Sequence, residues 1–269
     1  MKKKLVIGIV AVLVVAAAVA LPSAYRSFCQ FQKDTIPIIA YHKVIDNDPN
    51  PYAISTKDFA EHLQYLTDNG YKAISLMEMR DLLEEKRLGK PTKLGTEKYV
   101  VLTFDDGYAN NLEFATPVLH KYGYKATVFM ITGFVNNEDF LTAGQLKTMR
   151  IMGWEIGSHG DTHLPLGDQK RHKVEWEAFI SKQYLEYSTR QMVNFVAYPY
   201  GSFTRETADI FGEVGYWGGL TGMDGVNSAS TDPWEYKRVN MPQDKFFINT
   251  LPIRLFRAQL RDWLKNLNT

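Results

Sequence analysis

The segment Thr103-Phe104-Asp105-Asp106-Gly107-Tyr108 sets two carboxylates side by side at the end of an apolar run. Adjacent carboxylates repel unless a cation lies beside them. Residues leaving a strand point in different directions, so one Asp can bind a metal while its neighbour faces a substrate. Taken alone, an Asp-Asp-Gly triplet reads first as a turn, because Asp and Gly dominate turns. The segment Ser158-His159-Gly160-Asp161-Thr162-His163 supplies two histidines separated by three residues. Their imidazoles can converge on one metal, and Gly160 with Asp161 argues for a loop or single turn rather than a helix. As an isolated pair they would read as exposed loop histidines. With Asp106 they complete a two-histidine, one-carboxylate set that leaves coordination positions open for water and substrate.

These residues need a scaffold that brings them together. Short apolar runs at Ile36–Tyr41, Lys72–Ile74, Tyr99–Phe104, Ala126–Ile131, Trp154–Ser158, Phe195–Tyr198 and Trp217–Leu220 have the length and composition of buried strands, with a further short one at Arg238–Met241. Helical patterns with readable ends lie between them. Ser55 or Thr56 precedes Phe59, Leu63 and Leu66, and Gly70 stops that run. Ser75 and Glu78 have capping-box spacing. Leu112–Tyr122 ends at Gly123, and Pro117 must sit early in it or kink it. Thr142 and Thr204 open two more helices, and Phe246–Leu267 forms a last one. The Leu88–Glu97 stretch, rich in Gly and Pro, reads as a surface connection.

Alternating strands and helices imply an α/β fold with a parallel sheet covered by helices, either open or closed into a barrel. In both arrangements ligands bind beyond the C-terminal ends of the strands. His42, Asp105, Asp106, His159 and the run Tyr198-Pro199-Tyr200-Gly201 each follow a different expected strand at that end, apart from the two paired aspartates. Merely structural residues have no reason to share one end. His62, His120 and His172 fall in helices or their starts and are read as structural or surface residues. Trp217 and Trp234 are the aromatic candidates for stacking on a sugar ring.

Lys plus Arg number 31 against 30 for Asp plus Glu, so no long-range field favours nucleic acid, and a neutral partner is expected. The single cysteine, Cys29, excludes an intramolecular disulfide and a multi-cysteine zinc site. Lys2, Lys3 and Lys4 precede an apolar run from Leu5 to Leu21, which has the form of a secretion signal and is also long enough to span a bilayer. Residues 1–30 are therefore expected to be a cleaved signal peptide or an uncleaved membrane anchor, and residues 31–269 a catalytic body outside the cytoplasm.

The first two motifs, at 103–108 and 159–163, resemble those of the polysaccharide deacetylases, carbohydrate esterase family four, and Ala197-Tyr198-Pro199-Tyr200-Gly201 resembles the third. The resemblance covers roughly Ile36 to Met241. It implies a distorted, incomplete (β/α) barrel. It also implies that Asp106, His159 and His163 ligate a divalent metal, zinc first with Co²⁺ or Ni²⁺ as alternatives. Asp105 would be the general base, and the third motif, through Tyr198, Pro199 and the Tyr200 N–H, would bind substrate and oxyanion. Two departures stand out. Ala197 occupies the position of the family's arginine that pairs with the base, and no histidine follows His172 to serve as the C-terminal general acid. Both departures resemble the subgroup acting on poly-β-1,6-N-acetylglucosamine, whose motif order is circularly permuted. In that subgroup the acid histidine lies in an N-terminal Tyr-His context, matched by Ala40-Tyr41-His42-Lys43-Val44. Arg238, in Lys237-Arg238-Val239-Asn240, is the candidate replacement for the absent arginine. The expected protein is a monomeric N-deacetylase of an extracellular N-acetylglucosamine polymer. Peptidoglycan deacetylation, hydrolysis of small amides or O-acetyl esters, and sugar binding without turnover are the competing readings.

Overall fold

The computed structural model describes residues 22–242 and 250–267. A helix over residues 22–34 (α1) leads into β1 (Ile38–Tyr41), and two short strands follow, β2 (Lys43–Val44) and β3 (Ala53–Ile54). Strands and helices then alternate: α2 (Thr56–Asp68), β4 (Tyr71–Ala73), α3 (Leu76–Arg87), β5 (Lys98–Phe104), α4 (Thr116–Tyr122), β6 (Thr127–Met130), α5 (Ala143–Ile151) and β7 (Glu155–Ser158). The chain continues through α6 (Arg171–Thr189), β8 (Phe195–Ala197), α7 (Arg205–Val214), β9 (Gly218–Leu220), β10 (Val239–Asn240) and α8 (Leu251–Asn266).

The main sheet is parallel throughout, in the order β10-β1-β5-β6-β7-β8-β9, with β4 also paired to β5. It curls until its two edge strands approach each other. There a parallel bridge, Leu220 to Tyr236, and the bond from Thr221 N to Tyr236 O (2.9 Å) tie β9 to the segment leading into β10. The result is the distorted, incomplete barrel expected above.

Alternation along each strand sorts side chains onto two faces. Ile39, Tyr41, Val100, Leu102, Phe104, Val128, Met130, Ile156 and Val196 pack outward into one hydrophobic cluster with α2, α4, α5 and α6. Ile38, Val101, Phe129, Phe195, Ala197 and Leu220 form a second cluster on the inner face with Leu76, Met79 and Leu83 of α3. α3 is the barrel floor, since it touches residues at the start of several strands. Lys125 reaches Glu78, Asn194 meets Met77, and Arg80 lies 4.9 Å over Trp217. Gly157 faces inward on β7, where a Cβ would come within 2.4 Å of the Phe129 ring.

The helix ends follow the capping chemistry. Ser55 Oγ accepts from Asp58 N, Ser75 with Glu78 and Thr142 with Gln145 form capping boxes, and Thr204 caps α7. Pro117 sits in the first turn of α4, after a π-helical turn at Asn111–Ala115, so it starts the helix instead of kinking it. Sequence reading placed His172 in a helix or its start but did not delimit the 19-residue α6, because four positions on its buried face, Glu177, Ser181, Lys182 and Thr189, are polar and break the apolar periodicity. The last helix begins at Leu251; the expected start at Phe246 lies outside the described residues.

α1 crosses the expected boundary at residue 30 and docks on α8. Phe28 packs edge-on against Phe256 and Trp263, and Gln32 donates to Gln259 Oε1 at 2.9 Å. No helix among the described residues is long and apolar enough to cross a membrane, and the Leu5–Leu21 run lies outside them.

Candidate active site

Residues just past the strands inherit the strand alternation. Ile38 and Val101 face inward, and the same period carries His42 and Asp105 inward beyond β1 and β5. Gly157 and His159 stand in the same relation on β7, and Arg238 immediately precedes β10 on the inward period. The register keeps these ends level: Tyr41 pairs with Phe104 and Met130 with Ser158.

Asp106, His159 and His163 offer ligand atoms that all lie within 4.8 Å of one another. Nε2 of each histidine is 3.5 Å from the same Asp106 oxygen, Oδ1. His159 Nδ1 lies 2.6 Å from Ala197 O. A carbonyl only accepts, so Nδ1 carries the hydrogen and the Nε2 lone pair points toward Asp106. A histidine oriented through its far nitrogen is the usual arrangement of a metal ligand. Burial pushes His159 and His163 down, favouring the neutral imidazoles that coordination needs. The donor set fits a divalent cation such as zinc.

Asp106 (φ 70°), His163 (φ 58°) and Tyr200 (φ 58°) all adopt the left-handed conformation. Three candidate site residues in this costly region indicate a backbone held by its surroundings. Gly107 is required beside them, since a Cβ there would lie 2.0 Å from Met130 Sδ.

Asp105 is buried beside this triad. Arg238 Nη1 donates to both of its oxygens at 2.8 Å, and Arg238 Nε donates to Thr221 O at 2.9 Å. Burial alone would raise Asp105. The Arg238 guanidinium, with His159 and His42, outweighs it and holds the carboxyl well below the usual carboxylate range. The partners are 133 residues apart in sequence, yet β1 alone separates their strands.

His42 stands on the same face. Asn111 Nδ2 donates to its carbonyl at 3.0 Å, Tyr52 packs against its ring at 4.7 Å, and its buried Nδ1 has no partner within the protein. Burial lowers its pKa, while Asp105 and Asp106 pull it back up.

The third motif is a tight turn, Pro199–Gly201, in which Pro199 is buried and Tyr200 is 73% exposed with its ring 4.6 Å from His163. Tyr198 needs a correction as a substrate residue. Its ring is fully buried, stacks on Phe203 at 4.7 Å and donates to Trp234 O, so it serves the core. Trp217 and Trp234 are also displaced from their expected role. Both line a recess with Arg80 and Arg87 at the barrel floor, the end opposite the triad. His62 bonds the Tyr41 hydroxyl at 3.3 Å, in keeping with a structural role. Tyr52 and Glu177 were not singled out from sequence. Glu177 carried a usable signal, an acidic residue on the face shared by Val174, Ala178, Ser181 and Leu185.

A curled parallel barrel with a histidine-histidine-aspartate cluster and a second, arginine-held aspartate at its strand ends defines a hydrolase-type centre. The polysaccharide deacetylase family model matches residues 92–218. The chain is 34% identical over 206 residues to Bacillus subtilis YxkH, which is named as a polysaccharide deacetylase, covering 77% of this chain and 71% of that protein. It is 27% identical over 209 residues to the Staphylococcus aureus (strain N315) poly-β-1,6-N-acetyl-D-glucosamine N-deacetylase, covering 72% and 70%. Among solved structures, the Streptococcus pyogenes deacetylase PplD, determined with acetate, superposes with a TM-score of 0.73 at 29% identity, covering 84% of this chain and 98% of that one. IcaB from Ammonifex degensii gives 0.73 at 25% identity, covering 84% and 97%. The chain belongs to the polysaccharide deacetylase family.

Proposed function

We propose that the protein removes N-acetyl groups from an N-acetylglucosamine polymer outside the cytoplasm, and that the polymer is poly-β-1,6-N-acetylglucosamine. The observation that carries this reading is the convergence of His42 and Arg238 on the cluster formed by Asp105, Asp106, His159 and His163. The similarity to the staphylococcal enzyme supports the choice of polymer.

Asp106, His159 and His163 would hold the cation, which when bound polarises an amide carbonyl and makes water more acidic. Asp105, kept ionised by Arg238, takes the proton of the attacking water. Arg238 fixes the orientation of the carboxylate, its Nη1 donating to both oxygens. The backbone N–H of Tyr200, presented by the left-handed turn, is assigned to the developing oxyanion. His42 in its protonated form delivers a proton to the departing nitrogen. The products are acetate and a glucosamine unit that is cationic at neutral pH. The Lys2–Lys4 cluster and the apolar run behind it support export or anchoring at the outer face of the membrane.

The test is acetate release by the purified chain from poly-β-1,6-N-acetylglucosamine and from peptidoglycan fragments, with Zn²⁺, Co²⁺ or a chelator. Chelator-sensitive release from the first polymer is expected. Release from peptidoglycan alone would reassign the substrate while keeping the chemistry. No release from either polymer by metal-loaded protein would overturn the reading.

A further inference from the structure

His159 and His163 are joined by a three-residue loop, and that loop is gripped from one side by a carboxylate that the chemistry above leaves unused. Glu177 sits in the middle of α6 and its side chain is completely buried. Its Oε2 accepts from Asp161 N at 2.6 Å and from Thr162 N at 2.9 Å. Its Oε1 accepts from the Thr162 hydroxyl and pairs with Lys173 Nζ at 2.9 Å. On the opposite side the turn after β6 completes the grip. Thr132 Oγ1 donates to Asp161 Oδ1 at 2.7 Å, and Gly133 N donates to Asp161 O at 2.9 Å.

An ordinary helical Lys-Glu pair lies at the surface and contributes little. Here the carboxylate is buried, and burying a charge is unfavourable unless its partners repay the lost hydration. Every oxygen is used, and two of its donors are backbone N–H groups lying between the two histidines. Without Glu177, both N–H groups would lose their acceptor and the loop its tie to α6. The loop sequence also accommodates the carboxylate. Gly160 has φ +74°, and a Cβ there would come within 3.0 Å of Glu177 Oε2. His163 follows in the left-handed conformation, which needs outside support to persist.

We propose that Glu177 is a positioning residue that locks the loop between His159 and His163 in its metal-ligating conformation. The proposal rests on the reading of Asp106, His159 and His163 as a metal site. Glu177 touches neither the ligand atoms nor the reacting groups; it acts through the backbone of Asp161 and Thr162. It sets the direction from which His163 approaches the Asp106 oxygen.

The test uses the full-length chain and cobalt(II) as the probe. The dissociation constant is read by competition with a chromophoric chelator, and the visible absorption of the bound ion is recorded. Glu177→Ala is expected to raise the constant about 10- to 100-fold and to change the absorption envelope. Glu177→Gln keeps an oxygen able to serve both N–H groups but loses the charge, and is expected to weaken binding measurably yet by less than about tenfold. Thr162→Ala removes a single donor and should lie between the wild type and Glu177→Ala. If Glu177→Ala does not fold, Glu177→Gln and Thr162→Ala still decide the matter, since both must weaken cobalt binding measurably. Variants that unfold more easily yet bind cobalt with unchanged affinity and spectrum would overturn the proposal, leaving Glu177 a structural residue. A wild-type chain that fails to bind cobalt would instead overturn the metal-site reading itself, and this inference with it.

Discussion

Asp105 and Asp106 are neighbours in the chain with opposite assignments, and the difference is one of surroundings. Asp106 turns through a left-handed conformation toward two imidazoles, while Asp105 continues the inward period toward a guanidinium. Substituting Asp105 and a ligand of the triad in turn separates the two roles. Asp105→Asn is expected to lower kcat by about 10²- to 10⁴-fold while retaining the metal. His163→Ala should lose both, as checked by metal analysis beside acetate release. Near wild-type turnover by Asp105→Asn would exclude it as the base. Arg238→Met tests the clamp. With the guanidinium gone, burial dominates and the Asp105 carboxyl moves up, so the acid limb of kcat/KM shifts to higher pH. The same variant leaves a buried carboxylate unpaired and should lose about 3–5 kcal/mol of stability in urea unfolding. An unchanged acid limb together with an unchanged midpoint would remove Arg238 from the account.

At the scale of elements, the floor of the barrel carries its own titrating group. Glu155, at the start of β7, accepts from Leu76 N (2.8 Å) at the head of α3 and from the Thr127 hydroxyl (3.0 Å). Burial pushes its carboxyl up from 4.5 to about 7 against those donors. A carboxyl raised on folding binds its proton more tightly in the native state. Its contribution is therefore fully present below about pH 4.5 and is lost as pH rises through 7. Glu155→Gln stays neutral throughout, so the variant should gain thermal stability relative to the wild type between pH 5 and pH 8, by up to about 3 kcal/mol. A constant difference across that range would contradict the assignment. The inner face of β7 offers a packing test. Gly157→Ala would drive a methyl into the Phe129 ring and should cost about 1–3 kcal/mol by denaturant unfolding.

For the molecule as a whole, the proposed metal ties together residues from two separate strand ends, those of β5 and β7. A ligand that binds only the folded state stabilises it by mass action. Zn²⁺ at about a hundred times its dissociation constant should add roughly 2.7 kcal/mol, and a chelator should lower the melting temperature by the corresponding amount. A melting temperature indifferent to both would argue against a cation bridging these strands. α1 is another whole-molecule feature: its contacts to α8 join the chain's first described helix to its last.

Much was legible before any coordinates. The strand segments, the capping residues Ser55, Ser75, Thr142 and Thr204, and the gathering of His42, Asp105, Asp106 and His159 at one end of the sheet all follow from local chemistry. Periodicity, capping and turn preference act over a few residues, so a linear reading can find them. The extent of α6 was hidden because its buried face is partly polar, and one of those polar groups, Glu177, serves a loop that sequence proximity does not reveal. Tyr198 and Trp217 were misplaced for a related reason: an aromatic side chain at a strand end looks the same whether it faces the core, the floor or the site. The family resemblance nominated Arg238 and an incomplete barrel, but only the tertiary structure decided that Arg238 Nη1 meets both Asp105 oxygens across 133 residues, and that the gap falls between β9 and β10. The curl of the sheet brings distant strands to neighbouring positions, and no spacing along the chain encodes that distance.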